Sequence, residues 1–347
     1  MIKSIAIKFL LLLSIFCGLN IIYTHTFYQS DLVKYAKEDL DIKQSQENTD
    51  VYYFGESSNI TYAPDDSTQA SISSLCNLFY PQLKIVNINK YATHAGIYRH
   101  WLKQMDGRKK LPKAIVITMN LRSFDAAWIH SKLESSLQQS MVMSQAYPHL
   151  MNRFLLALQA FDNKTVEQRE KDMQKQWKTE QLIFDIPFKY KTVREWDDGM
   201  ANGGHLTPDG KWDMKKIELA CHYIKAYAFN LNENNPRIID FDDISLWCKK
   251  QGIHLYLNLL SENIAYADSL VGKELVFLMR QNRDYLKQRY QSENTTVIDN
   301  LELVNGHDFI DQNWTTEHYN ERGRMRIAKN VAEALKIQFN KAYIKAY

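Results

Sequence analysis

The sequence predicts an α/β fold: a doubly wound, mostly parallel five-stranded sheet in a flavodoxin-like three-layer sandwich, carrying a helical insertion. Three observations lead there. Runs rich in β-branched and other apolar residues begin near positions 51, 83, 113, 253 and 296. Segments with helical apolar spacing lie between them. The third run, residues 112–119, is apolar almost throughout, as a parallel strand buried on both faces must be. Strands alternating with helices in this rhythm build a parallel sheet through crossover connections. The 347 residues, 45% hydrophobic and 24% charged, suffice for one large domain or two ordinary ones, and give no sign of disorder. A net charge of +3 with no Lys/Arg block sets nucleic acid aside as a partner. Cys17, Cys76, Cys221 and Cys248 show neither metal-ligand spacing nor a disulfide framework, and no motif calls for a cofactor.

Lys3 and Lys8 precede residues 9–23, a run of fifteen without charge. This is the pattern of a secretory signal or of a membrane span with its basic end in the cytoplasm. The run closes without a small-x-small cleavage site, and the bulky Ile15-Phe16 before Cys17 argues against lipidation. The expectation for residues 1–24 is an uncleaved anchor in the cytoplasmic membrane, the rest of the chain being extracytoplasmic. Release to the periplasm or medium after signal cleavage is the alternative. Residues 25–50 turn polar and charged, without Gly or Pro, and read as a partly helical stalk before a domain spanning 51–347.

Val51-Tyr-Tyr-Phe-Gly-Glu-Ser-Ser-Asn59 reads as a strand running into a sharp polar turn, with Gly55 just ahead of Ser57. Ligands bind beyond the carboxyl ends of the strands in open α/β sheets. A serine held there becomes a nucleophile once a base comes within hydrogen-bond reach. By itself the stretch fits an ordinary Ser/Asn turn as well. Ile72, Leu75, Leu78 and Phe79 give the next segment helical spacing; residues 83–88 form the second strand, and Gly96 opens the following helix. The third strand ends at Asn120, level with Ser57. An amide there can donate to an oxyanion on an attacked acyl carbon, worth roughly 3 kcal/mol in other hydrolases, or simply cap the following helix.

About 125 residues then precede the fourth strand, too many for one crossover, so residues 126–250 read as an insertion. Helical spacing covers 131–143, 149–161, 163–180, 211–230 and 238–250. Residues 187–212, with four glycines, read as a loop or lid. Trp196, His205 and Trp212 are its substrate-binding candidates, the tryptophans as platforms for sugar rings; an ordinary ordered loop with buried tryptophans is the plainer reading. Residues 252–260 are the fourth strand, ending in Ser261-Glu262-Asn263 at the same edge of the sheet. The last strand, 296–299, is followed by Asp308-Phe-Ile-Asp311, a short loop, and Thr316-Glu-His-Tyr-Asn-Glu-Arg-Gly-Arg324 leading into an amphipathic helix. His318 at the mouth of that helix is placed to be a base.

Together these three stretches resemble the SGNH (GDSL-type) hydrolase family. Its Gly-Asp-Ser motif appears as Gly55-Glu56-Ser57, its Gly-x-Asn-Asp as Thr118-Met119-Asn120-Leu121, and its closing His motif around His318-Tyr-Asn-Glu-Arg-Gly323. The anchor, the missing Asp in the first motif and the long middle section look most like the DltD-type and alginate-acetylation-type envelope branches. The resemblance implies Ser57 as nucleophile, His318 as base, and Asn120 plus a backbone N–H from the family's second motif as oxyanion donors. By position that N–H belongs to Ala92 or Gly96, and Gly96 is preferred. The family's acid, three residues before the base, is Thr315 here. Asp311 is the best substitute, but a continuous helix would leave it about 10 Å from His318 along the axis, so it serves only if residues 312–317 loop back. Glu317, or no acid at all, are the alternatives. The implied activity is that of a serine esterase or O-acyltransferase acting on acyl (acetyl-like) esters of cell-envelope or exported polysaccharide, beside a membrane acyltransferase or acyl carrier. The rival is a binding or assembly protein on the same fold, its triad decayed at Thr315, marked by a Ser57–His318 separation beyond hydrogen-bond reach.

Overall fold

The computed structural model describes residues 2–45, 48–185, 187–315 and 317–345. Residues 1, 46, 47, 316, 346 and 347, belonging to the expected anchor, stalk, acid–base loop and end of the domain, and residue 186, just ahead of the expected lid loop, fall outside these. Three helices, α1 (Ile2–Thr26), α2 (Tyr28–Tyr35) and α3 (Lys37–Gln44), precede strand β1 (Val51–Gly55). Helices α4 (Ser57–Ile60) and α5 (Ile72–Phe79) lead to β2 (Ile85–Asn89), and α6 (Ala95–Lys103) leads to β3 (Ala114–Met119). The insertion holds α7 (Ala126–Ile129), α8 (Lys132–Leu137), α9 (Gln139–Met143), α10 (His149–Ala157) and α11 (Val166–Thr179). It continues with α12 (Val193–Ala201), α13 (Met214–Tyr227) and α14 (Pro236–Gln251). Then come β4 (His254–Leu259), α15 (Ile264–Leu270), α16 (Lys273–Tyr290), β5 (Thr295–Asp299) and α17 (Glu321–Lys345).

The five strands form one sheet, parallel throughout rather than mostly, in the order β2-β1-β3-β4-β5. Side chains alternate across it. Val51, Tyr53, Val116 and Tyr256 pack beneath α5 and α17, while Tyr52, Phe54, Ile117 and Leu257 share the larger core with α6, α13, α14 and α16. Both faces are therefore covered, as a parallel sheet requires, and the result is an α/β sandwich. The chain leaves β1 toward one edge for β2 and returns to the other side for β3. The crevice between the carboxyl ends of β1 and β3 is thus the topological switch point, where ligands of such sheets bind. Ser57 follows β1 there and Asn120 follows β3.

Two segments differ from expectation. Residues 25–50 are not a free stalk: α2 and α3 pack on the domain. Ala36 joins Val142, Met143 and Leu156 in a small core, while buried Asp39 meets His100 Nε2 at 2.7 Å. The Gly-rich segment 187–212 contains a helix, α12, capped by the Thr192 hydroxyl, which accepts from the Glu195 N–H. The last helix begins at Glu321, so His318 lies in the loop before it. Helix α1 is long and apolar enough to cross a membrane, and of its residues only Tyr23 is buried.

Candidate active site

The turn at Ser57 is built by close approach. Gly55 ends β1 against the side chains of Asn59 and Asn89, and a Cβ there would collide with both. The Asn59 amide donates to Asn89 Oδ1 (2.6 Å) and Ser73 Oγ (3.0 Å), and its Oδ1 accepts from the Ser73 N–H (2.9 Å). These bonds tie the first turn of α4 to β2 and α5, so Ser57 sits on a braced corner at its start.

His318 arrives on a chain that doubles back. Phe309 and Tyr319 pair as an antiparallel bridge, and the Ile310 N–H donates to the His318 carbonyl at 2.9 Å. The Tyr319 hydroxyl fastens the returning strand by donating to the Ser261 carbonyl at 2.7 Å. This fold-back brings the ends of the loop together. His318 Nδ1 lies 2.7 Å from Asp311 Oδ2, and His318 Nε2 lies 3.1 Å from Ser57 Oγ. Hydroxyl, imidazole and carboxylate form one relay, each link within hydrogen-bond distance.

Glu317, beside His318 in sequence, points the other way. It receives Arg122 in a two-pronged pair, Nε to Oε1 and Nη2 to Oε2, each 3.1 Å. Asn120 Nδ2 donates to Glu317 Oε2 (2.8 Å) and to Glu56 Oε1 (2.9 Å). Its Oδ1 accepts from the Arg122 N–H and caps the 3-10 turn Leu121–Phe124. Both amide protons expected for an oxyanion are thus held by carboxyl groups, and the bond to Glu317, paired with Arg122, is of the charged kind worth about 1.5–3 kcal/mol. Asn120 instead staples the residue before Ser57 to the residue before His318.

Glu56, Glu262 and Glu317 are all buried around the one guanidinium of Arg122. Burial, with Glu317 nearby, pushes the Glu56 carboxyl up to about 8. Burial, then Glu317, raises Glu262 well above its ordinary range while its Oε2 accepts from the Tyr227 hydroxyl at 2.6 Å. Burial works against the Arg122 cation, but Glu317, with Tyr227 and Glu262 behind it, more than offsets this and its pKa rises. Two neutral acids beside one ion pair balance the site, since each unpaired buried ion would cost several kcal/mol. Among the described residues, no group of His, Cys, Asp or Glu is arranged to hold a metal ion.

Gly96 does not donate to the site. Its N–H is spent on His94 Nδ1 (3.1 Å), and its Cα faces the Asp240 carboxyl in the contact between α6 and α14. The turn after β2 instead holds Ala92 at φ 53°, a left-handed backbone that favours glycine and costs an alanine about 1 kcal/mol. The three lid candidates have other partners. Trp196 is 3% exposed, packed on α12 against Phe184, Phe188 and Tyr190. His205 Nε2 lies 2.5 Å from the Leu270 carbonyl, and Trp212, 55% exposed, bridges to Leu206.

The concavity beside the relay is lined by other aromatics. A cavity of about 420 Å³ is bounded by Trp128, Trp177, His222 and Trp314, with Arg122 and Thr315 on the side toward Glu317. Neither Ser57 nor His318 lines it; it adjoins them through the acid–base loop, of which Trp314 and Thr315 are part. The His222 and Trp314 rings lie 3.7 Å apart. Burial, then the cations Arg122 and Lys225, lowers His222 to about 4, so it is neutral near pH 7. Arg122 could have been suspected from its place three residues past a strand end. Trp128, Trp177 and Trp314 carry no such mark, because only the folding of the insertion brings them together.

No family model and no curated protein matches the chain. Among solved structures it is similar to the lipase Lip_vut3 from goat rumen metagenome, at 12% identity and a TM-score of 0.33, over 83% of this chain and 97% of that one. A likeness that loose carries no inference about fold or function.

Proposed function

We infer that the protein is a serine ester hydrolase or O-acyltransferase of SGNH type, anchored in the cytoplasmic membrane, acting outside it on acyl esters of cell-envelope or exported polysaccharide. The observation that carries this reading is the relay at the switch point: Ser57 Oγ 3.1 Å from His318 Nε2, and Asp311 Oδ2 2.7 Å from His318 Nδ1. His318 Nε2 takes the Ser57 proton as Oγ attacks the ester carbonyl, and Asp311 holds the ring in the required tautomer and stabilises the imidazolium. The oxyanion needs backbone N–H donors, for which Ser57 and, by its place after β2, Ala92 are the candidates; Asn120 fixes the two arms of the site. His318 then returns the proton to the leaving alkoxide. In the second half, water or a sugar hydroxyl gives its proton to His318 and attacks the acyl carbon; the acyl–Oγ bond breaks and His318 hands that proton to the departing Ser57 Oγ. The aromatic cavity offers stacking faces for a sugar ring, with Arg122 and Lys225 at its polar edge. An acyl donor would reach Ser57 from a membrane acyltransferase or acyl carrier. The binding-protein reading expects a broken relay, and the short Ser57–His318 distance speaks against it.

The test is labelling of the full chain in detergent with a fluorophosphonate probe, beside Ser57→Ala and His318→Ala. The expected result is labelling of the wild type that vanishes with Ser57→Ala and falls steeply with His318→Ala. A folded wild type that takes no label would overturn the hydrolase reading and leave the binding protein.

A further inference from the structure

Helix α1 emerges from its apolar run directly into contact with the insertion. At 1.5 Å per residue its 25 residues span about 37 Å, more than the roughly 30 Å of a bilayer's hydrocarbon core. With Lys3 at the basic end, about twenty residues of core run out between Asn20 and Tyr23. At that level the Leu150 N–H donates to Asn20 Oδ1 (2.9 Å), and Thr24 Oγ1 lies 3.1 Å from His149 Nδ1. The Tyr28 ring stacks on His149 at 3.7 Å, and Arg153 reaches Asp31 at 3.1 Å. The first turn of α10 is therefore pinned to the point where α1 would leave the membrane.

From that point α10 shows two faces. Leu156 is buried against Met143, and the buried Asn152 amide donates to the Met143 and Gln145 carbonyls. On the opposite side Met151, Phe154 and the capping Leu158 are 40%, 47% and 77% exposed. Their i, i+3, i+7 spacing gathers them within about 60° at 100° per residue. Arg153 turns away to Asp31, so no charge interrupts the stripe. Tyr147, exposed just before the helix, is a residue type enriched where lipid meets water.

We propose that α10 is a second membrane contact, lying in the interface with Met151, Phe154 and Leu158 in the apolar boundary of the leaflet from which α1 emerges. The occupant of this face is lipid because the stripe continues the exposed apolar surface of α1 at its exit. The proposal rests on α1 being a retained anchor. Attachment at two points holds the domain at one height and orientation. The same insertion supplies Ser131 and Leu133 of α8 and its cap to the aromatic cavity, so that cavity is held in a fixed relation to the bilayer.

The experiment uses the full chain with Cys17→Ser, reconstituted in phosphatidylcholine–phosphatidylglycerol vesicles. The remaining cysteines are buried and escape labelling. Nitroxides are attached at Met151→Cys, Phe154→Cys or Leu158→Cys, with Leu12→Cys as the anchor reference and Ile337→Cys, exposed on α17 across the sheet, as the water reference. Collision with oxygen and with a water-soluble nickel chelate is compared. The expected result is that the three α10 positions resemble Leu12→Cys, with the oxygen-to-nickel ratio at least threefold above Ile337→Cys. Positions that match Ile337→Cys while Leu12→Cys reads as lipid overturn the α10 contact and leave the anchor standing. A water-like signal at Leu12→Cys itself overturns the anchor reading, and the α10 proposal with it.

Discussion

At the scale of residues, two acids compete for His318, and geometry separates them. Glu317 is its chain neighbour, yet successive side chains in extended backbone point to opposite sides, and Glu317 is taken by Arg122 and Asn120. Asp311, seven residues away, touches Nδ1. Replacing Asp311 with Asn keeps the size but removes the charge that stabilises the imidazolium. A fully buried triad acid loses about 10⁴-fold on this change, whereas the Asp311 side chain is 38% exposed. The Asp311→Asn variant is therefore expected to slow fluorophosphonate labelling by about 10²–10³-fold at neutral pH, with melting temperature nearly unchanged. A rate within a few-fold of wild type would remove Asp311 from the relay. The resemblance to the SGNH motifs brought Ser57, His318 and Asp311 into one hypothesis, with Ser57 and Asn120 placed at one edge of the sheet by the strand ends they follow. It could not assign Asn120, whose role depends on two glutamates from distant parts of the chain converging on a single amide.

At the scale of elements, the strands were legible because each is a short apolar run with turn residues behind it, and a one-residue error in their bounds changes no face. Helix α12 was not. Glycines 199, 203 and 204 suggest a loop, but Gly199 sits inside the helix so that Tyr190 can lie against it; a Cβ there would collide with the Tyr190 ring. The packing of α2 and α3 was hidden for a related reason, since their buried apolar residues are few and their partners lie about a hundred residues on. Placing Trp196 on α12 turns it from a sugar platform into core. Trp196→Ala should destabilise the protein by about 3–5 kcal/mol, read as a lower urea midpoint, while Trp196→Phe retains most stability and labels at the wild-type rate. Unchanged stability with weakened polysaccharide binding in Trp196→Ala would return the residue to the substrate site.

At the scale of the whole molecule, the buried acids set how stability depends on pH. Glu56 moves from its ordinary 4.5 to about 8 and Asp125 from 3.8 to about 8, both through burial first, and Glu262 rises in the same sense. Each keeps its proton in the folded chain where the unfolded chain has released it. Their contribution is complete below the ordinary carboxyl range and is lost as pH climbs through the folded values, at up to about 1.4 kcal/mol per pH unit for each proton retained. Histidines act in the opposite direction at lower pH. His94, His130 and His149 are lowered, and His222 falls to about 4, in each case by burial first. The unfolded chain then binds more protons up to the ordinary histidine value of 6.5, and stability gains with pH there. Glu134, held at about 2 by His94 and Arg237 against the pull of burial, adds a loss as pH falls from about 4.5 toward 2. The two sets overlap below pH 6.5 and separate above it, where only the acids remain. The urea midpoint should therefore fall between pH 6.5 and 8.5, and Glu262→Gln should flatten that fall by removing one of the three protons. A midpoint that holds level or rises across this window would mean that the acids around Arg122 are already ionised in the folded chain. The neutral-acid arrangement beside Ser57 and His318 would then be wrong, and the charge of the site would have to be balanced by a cation from outside it.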